Sequence, residues 1–221
     1  AGKGVKQIPF AKVDIDVAAE YACEDSLVSY ELYNYLWEKI LKNKSIVNIY
    51  TDIEMPLVPV LSNIEKNGVL IDSIQLNNLS KELEESLKEI QKKCFKITKK
   101  EFNLNSPKQL QEILYMDLEI PITKKTPTGK PSTDEDTLQF LAQSHKLPAL
   151  ILDYRSLNKL KTGYTDKLPL QVCKKSGRIH TSYQQAITAT GRLSSTEPNL
   201  QNIPIKSLQG RKIRNAFIAE P

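Results

Sequence analysis

Apolar positions along the chain recur at steps of three and four over long stretches, and only short stretches alternate, so the pattern predicts helices joined by a few brief strands. Ala18, Ala22, Val28, Leu32, Tyr35 and Leu36 predict a helix over 17–41, which Asn43-Lys44-Ser45 interrupts. A second helix is expected from Ile46 through Tyr50 towards Glu65, with Pro56 and Pro59 kinking it or delimiting its start. Asn67-Gly68 is a C-cap and turn signal, and Val69-Leu70-Ile71 reads as a short strand. Asp72 then caps a long helix, with Gln75 at the capping-box position. Its stripe is Leu76, Leu79, Leu83, Leu87, Ile90, Cys94 and Ile97, stepped like a coiled-coil seam. That stripe needs a partner, and Pro148 to Lys167 offers one through Leu150, Tyr154, Leu157, Leu160, Tyr164 and Leu168. Both stripes read as core, buried in an antiparallel helix pair.

Two short helices are expected at the tip between the long ones. Ser106-Pro107-Lys108-Gln109 combines a capping serine, proline at the first helical position and glutamine three residues on. Ser132-Thr133-Asp134-Glu135 opens the second in the same way, after the basic, turn-rich loop Lys124 to Pro131. Further on, Leu168 to Val172 and Ile179 to Tyr183 read as a hairpin about Lys174-Lys175-Ser176-Gly177, and Lys212 to Ala219 as a last strand. The expected class is mostly α with minor β (α+β), built around a long antiparallel helix pair. Internal repeats and low-complexity tracts are absent, and the loop-like start at Ala1 and the strand-like end at Phe217 to Pro221 read as cut from something longer.

Composition narrows the function classes. At 40% hydrophobic residues the 221-residue chain can bury a core. The net charge is +5, and between Tyr154 and Arg178 stand Arg155, Lys159, Lys161, Lys167, Lys174, Lys175 and Arg178 against the single acid Asp166. Such a basic stretch suits a polyanion; a solvated lysine-rich face is the plain alternative. Cys23, Cys94 and Cys173 are far apart and form no CxxC pair, which supports neither a disulfide framework nor a zinc site. No apolar run approaches the roughly twenty residues of a membrane span, and no signal peptide is visible.

Three groups of residues carry candidate chemistry. Tyr21 and Asp25 are four apart on a helix and share a face; a phenol beside a carboxylate could hold one metal and one water of a phosphodiester-cleaving site, or be an ordinary surface pair. At the tip, Asn103, Asn105, Ser106, Lys108, Lys130, Ser132 and Thr133 cluster about two helix N-termini, whose free N–H groups suit phosphates unless they serve only as caps. Arg155 and Lys159 share a face of the second long helix. Finally, the run Thr188 to Pro204 is dense in hydroxyls and amides and contains one arginine, Arg192, aimed by the preceding Gly191. It has the make-up of a surface that donates hydrogen bonds to an extended polar ligand.

That run, Thr188-Ala189-Thr190-Gly191-Arg192-Leu193-Ser194-Ser195-Thr196-Glu197-Pro198-Asn199-Leu200-Gln201-Asn202-Ile203-Pro204, closely resembles a signature of the family A DNA polymerases, the bacterial DNA polymerase I family. Ile53 to Leu61, Gly68 to Asp72, Tyr164 to Pro169, Arg178 to Tyr183 and Arg214 to Ala219 resemble the same family in the same order, with Glu197 where aspartate is more usual. Glu20 to Leu32 is similar to the third motif of the family's proofreading exonuclease. The resemblance implies that residues 1–50 end a 3′-5′ exonuclease-like domain, 51–72 connect, 73–168 form the helical thumb and 169–221 begin the palm. It implies that Asp25 ligates a metal and Tyr21 orients the attacking water, in a site whose other acids lie upstream of Ala1. Arg192 would meet the primer-terminal pair from the minor groove, with Thr188, Thr190, Ser194, Asn199, Gln201 and Asn202 holding the backbone, while Arg155 and Lys159 contact phosphates. Magnesium, primer-template DNA and deoxynucleotides are implied for the whole polymerase, which would be cytoplasmic and monomeric. This chain, lacking the polymerase carboxylates that follow Phe217 in the family, would be inactive and bind no metal, and act at most as a sequence-independent DNA binder. The alternatives are a stand-alone exonuclease remnant built on Tyr21 and Asp25, and a helical scaffold without a DNA role.

Overall fold

A computed structural model describes residues 7–219. Helices dominate, and two two-stranded antiparallel sheets complete the α+β class expected from the sequence. The chain divides into two compact units, 1–62 and 63–221, with the division inside one helix.

In the first unit α1 (Ile15–Ile40) starts at Asp14, whose carboxylate accepts from the amide of Asp16 at 3.0 Å. Asn43 caps α2 (Lys44–Ile49) by accepting from Ser45 and Ile46. A π-helical turn, Tyr50–Glu54, leads into α3 (Met55–Asn67). The amide of Met55 bonds back to the carbonyl of Tyr50, so the wide turn ends just before Pro56, which has no N–H to continue the ladder. Trp37 stacks on Tyr33, with centroids 5.9 Å apart, and tilts against Tyr50 at 5.4 Å.

The second unit begins with β1 (Leu70–Ile71) and α4 (Ser73–Thr98). Asp72 accepts from the amide of Gln75 at 2.9 Å, as its sequence position predicts. The return half of the capping box does not form, because the amide of Asp72 already donates to Ala216 at 2.7 Å. Next come α5 (Pro107–Gln111), a π-helical turn over Glu112–Asp117, α6 (Glu135–Ala142) and α7 (Lys146–Leu160), which unwinds into a third π-helical turn, Lys161–Thr165. The true cap of α6 is Asp134, accepting from Thr137 at 2.9 Å, and not Ser132.

Two hydrophobic clusters lie along the α4–α7 pair and show it to be antiparallel. The distal cluster joins Cys94 of α4 to Leu147 and Ile151 of α7, with Leu104, Leu110, Leu114 and Leu138. The basal cluster joins Leu76, Leu79 and Leu83 to Leu160, Leu168, Ile179 and Ile213. The α4 seam is thus the predicted one through Cys94. On α7 the fully buried positions are Leu147, Pro148, Ile151 and Leu160, whereas Leu150, Tyr154 and Leu157 are only partly covered. This helix packs on both α4 and α6, so the expected stripe, buried at Leu160 and Leu168 and packed against the clusters at Leu150, Tyr154, Leu157 and Tyr164, is joined by a second buried line at Leu147, Pro148 and Ile151.

Beyond the pair, Leu168–Gln171 is a 3₁₀ turn, so the expected hairpin about Ser176-Gly177 does not form. Ile179 instead exchanges two backbone hydrogen bonds with Val69, at 2.8 and 2.9 Å. β2 (Ser182–Gln184) pairs with β3 (Ser194–Thr196), Tyr183 opposite Ser195. The first half of the expected last strand is helix: Ser207 caps α8 (Leu208–Asn215) through the amide of Gly210 at 3.0 Å, and Gly210, Ile213 and Ala216 recur at helical spacing on the buried side. Only β4 (Phe217–Ile218) remains extended, paired with β1.

Candidate nucleic-acid interface

The run around Arg192 is a ribbon and the loop that closes it, held from beneath by hydroxyls. Ser195 is fully buried and Thr181 nearly so. Thr181 Oγ1 lies 2.7 Å from Ser195 Oγ, 2.8 Å from the carbonyl of Pro198 and 2.9 Å from that of Thr196, while Ser195 Oγ accepts from the amide of Leu200 at 3.1 Å. Carbonyls only accept, so Leu200 N–H donates to Ser195 and Thr181 O–H to a backbone carbonyl, while the Ser195 O–H has two acceptors in reach, Thr181 Oγ1 and, at 3.2 Å, the carbonyl of Pro198. This hydroxyl chain, together with Leu200 and Ile203 packed against the basal cluster, turns a polar segment into a fixed structure.

On the outer side Thr188 Oγ1 donates to the carbonyl of Arg192 at 2.6 Å, and Gly191 takes φ +73°, closing a tight loop that leaves the Arg192 side chain exposed. Arg192 makes no ion pair among the described residues. Thr190 Oγ1 reaches Thr188 at 3.5 Å, Ser194 Oγ reaches Gln184 at 3.4 Å, and Asn199 Oδ1 accepts from the amide of Gln201 at 3.0 Å. The phenol of Tyr164 donates to the carbonyl of Asn202 and ties the run to the end of α7.

A groove of about 600 Å³ opens at that junction, with Lys159, Tyr164, Asn202, Lys206 and Ser207 in its lining and no acid. Lys206 escapes sequence reasoning, since a single lysine after Pro204 stands in no motif. Helix α7 acts as a spine connecting this groove to the tip. Asn158, next to Lys159, donates to Asn105 Oδ1 at 3.3 Å, and Arg155 donates to the carbonyl of Thr133 at 2.6 Å. Burial holds the Arg155 guanidinium below its usual pKa against the opposing pull of Asp134 and Glu135.

At the tip, the amide of Asn103 donates to Gln109 Oε1, the side chain of Asn103 accepts from the amide of Asn105, and Ser106 caps α5. Lys108 and Lys130 are exposed. The sequence places Ser132 and Thr133 at a ligand-facing surface, but the structure buries both, at 3% and 7% exposure. Their carbonyls receive Tyr115 and Arg155, so they frame the tip from inside. Lys124 pairs with Asp134 at 2.7 Å. That ion pair, followed by the capping bonds from Thr137, pulls the Asp134 carboxyl far below the usual carboxylate range.

A family model for DNA polymerase family A matches residues 73–221, about two thirds of the chain, and takes in the long helix pair, the ribbon and α8. The chain belongs to DNA polymerase family A. Among family A relatives, it is 51% identical over 220 residues to DNA polymerase I of Pseudomonas aeruginosa, covering 99% of this chain and 24% of that protein. It is 41% identical over 202 residues to the thermostable DNA polymerase I of Thermus aquaticus, covering 91% and 24%. The chain therefore spans about a quarter of the length of the curated relatives it matches. A solved family A structure, the POL domain of Pol1 from M. smegmatis in complex with DNA primer-template and dNTP, superposes with a TM-score of 0.78 at 38% identity, covering 86% of this chain and 33% of that one.

Tyr21 and Asp25 lie on exposed α1 in the first unit. Hydrogen bonding to the Asp25 carboxylate, reinforced by its charge, raises the Tyr21 pKa. The helix thus brings the pair together, but no group of three or more His, Cys, Asp or Glu able to hold a metal exists among the described residues. A single carboxylate does not by itself fit a two-metal centre. No helix among the described residues is long and apolar enough to cross a membrane.

Proposed function

We propose that the second unit binds primer-template DNA without reading its sequence, and that it does so as part of a DNA-directed DNA polymerase whose magnesium-dependent nucleotidyl transfer is carried by residues outside this chain. The observation that carries this reading is the exposed, unpaired Arg192 on a fixed ribbon that joins an acid-free groove lined by Lys159 and Lys206. The minor groove presents acceptors at every base pair. An arginine placed there tests pairing geometry without distinguishing sequences, while the lysines neutralise phosphates. Thr188 fixes the Arg192 backbone, and Tyr164 keeps the run docked on α7. At the tip, Lys108 and Lys130 extend the positive surface, and Arg155 holds the Thr133 backbone, so its share in DNA binding runs partly through the frame. The match to a solved polymerase–DNA complex supports the same reading.

Fluorescence anisotropy of a labelled primer-template, titrated between low and moderate salt, tests it. Binding should weaken steeply with salt, and Lys159→Ala should reduce the salt slope by about one. Arg192→Ala should cost about 1–3 kcal/mol, equally for duplexes of different sequence. Salt-insensitive binding, or wild-type affinity in both variants, overturns the proposal and favours a scaffold.

A second reading rests on the Tyr21–Asp25 hydrogen bond, which supports these residues as contributors to a 3′-5′ exonuclease site completed by other acids. For the chain alone we expect no magnesium-dependent release of nucleotides from single-stranded DNA; release abolished by Asp25→Asn would reverse that expectation.

A further inference from the structure

We propose that Glu65 is a positioning residue that sets the pose of the ribbon carrying Arg192, an inference that rests on the DNA-binding reading above. The ribbon needs such a device. β2 and β3 are three residues each and, among the described residues, pair only with one another, and an isolated two-stranded ribbon is marginally stable in water. The hydroxyl chain of Thr181 and Ser195 fixes the inner side of the ribbon to the segment that follows it, but does not itself orient the ribbon against the helices.

Glu65, in the last turn of α3 and within the second unit, supplies that orientation twice over. Its carboxylate Oε1 accepts from the amide of Tyr183 at 2.5 Å. This N–H lies on the outer edge of β2, where no strand takes it, so a charge-assisted bond occupies an otherwise open edge. Its main-chain carbonyl accepts from His180 Nδ1 at 2.7 Å. A carbonyl cannot donate, so Nδ1 carries the proton, and in the neutral ring Nε2 accepts from Ser176 Oγ at 2.6 Å. One residue therefore grips the chain at positions 180 and 183, one on each side of the Thr181 hydroxyl. Gly68 shows how close the approach is: a Cβ there would lie 2.8 Å from the His180 ring. Swinging the ribbon away from α3 would break both bonds, and Arg192, at its far end, would swing with it.

Two near-isosteric variants test this in the full chain. Glu65→Asp keeps the charge but shortens the side chain by one methylene, so the bond to Tyr183 is lost; Glu65→Gln keeps the reach and an acceptor oxygen. Glu65→Asp should weaken primer-template binding about tenfold, the equivalent of one charge-assisted hydrogen bond, while Glu65→Gln stays near wild type. Amide exchange at Tyr183 should accelerate about tenfold in Glu65→Asp and stay unchanged along α4. In an Arg192→Ala background Glu65→Asp should cost nothing further, because the pose of a missing guanidinium cannot matter. Wild-type binding by Glu65→Asp where Arg192→Ala is impaired refutes the positioning role, and so does full additivity of the two changes. Wild-type binding by Arg192→Ala refutes instead the DNA-binding reading, with the Tyr183 exchange still reporting whether the clamp exists.

Discussion

Replacing Ser195 by alanine tests the internal structure of the candidate interface most directly. The Ser195 side chain is buried completely and stands in the middle of the hydroxyl chain, taking the Leu200 amide at 3.1 Å and reaching Thr181 at 2.7 Å. Removing it orphans the partly buried Leu200 N–H and takes a hydrogen-bond partner from Thr181, while the volume lost is a single oxygen. An unpaired buried donor costs about 1–3 kcal/mol, and Thr181 keeps its bonds to backbone carbonyls, so a loss of about 2 kcal/mol is expected. For a chain of this size that lowers the melting temperature by roughly 4–8 °C, measurable by circular dichroism. The Leu200 amide should lose protection from exchange in the same variant. Ser194→Ala, one residue away on the outer side with only a 3.4 Å contact to Gln184, should stay within about 0.5 kcal/mol of wild type. If Ser195→Ala is as mild as Ser194→Ala, the hydroxyl chain does not hold the ribbon and the account of its rigidity is wrong.

Cys173 and Cys94 should respond oppositely to alkylation. The amides of Ser176 and Lys175 lower the Cys173 thiol to about 7, whereas burial raises Cys94 to about 11. Thiolate is the nucleophile, so modification of Cys173 by iodoacetamide, located by peptide mass mapping, should rise with pH through about 7 and then level off. A depressed thiol pKa also favours folding above its unfolded value, a contribution that fades as pH falls through about 7. Gly68→Ala should destabilise the second unit by about 2 kcal/mol or more in urea titrations: φ +66° strains any side chain, and the new Cβ meets His180 and the Ile179 carbonyl. Wild-type stability in that variant would show that the His180 approach is loose.

The parts of this fold with a periodic apolar face were legible, and the parts made by polar hydrogen bonding were not. The seam of α4 and its Asp72 cap stand in the sequence as in the structure because one face meets one partner. Helix α7 carries more core than its expected stripe because it touches two neighbours, and a wide apolar surface does not single out one stripe. Leu168 to Val172 looked extended, yet Pro169 and the basal core draw it into a 3₁₀ turn. β2 and β3 carry almost no apolar alternation, and their pairing depends on Thr181 and Ser195, two hydroxyls with nothing local to mark them. Residues 212–215 look extended by pattern, yet they close α8, whose cap Ser207 stands well ahead of them. In the candidate site, the exposed Arg192 matched its unusual polar surroundings, whereas Ser132 and Thr133 carried the look of surface caps and proved internal. Glu65 and Lys206 could not be found from spacing, since each acts on a segment distant in sequence or stands alone.

The separation of the two hydrophobic clusters along α4 and α7 has a mechanical consequence. At 1.5 Å per residue the 26-residue α4 is about 39 Å long, and the distal cluster is packed on itself, so everything from Cys94 to Ile151 travels as one block. The basal cluster holds the foot of that block and would be the pivot of any tilt, and the π-helical turn at Lys161–Thr165 lies beside it. With an arm of this length, a rotation of about 5° at that pivot carries the tip some 3 Å, roughly the reach of a hydrogen bond. A substitution among Leu76, Leu79, Leu83 and Leu168 would thus be felt most at Lys108 and Lys130, far from the side chain that was changed.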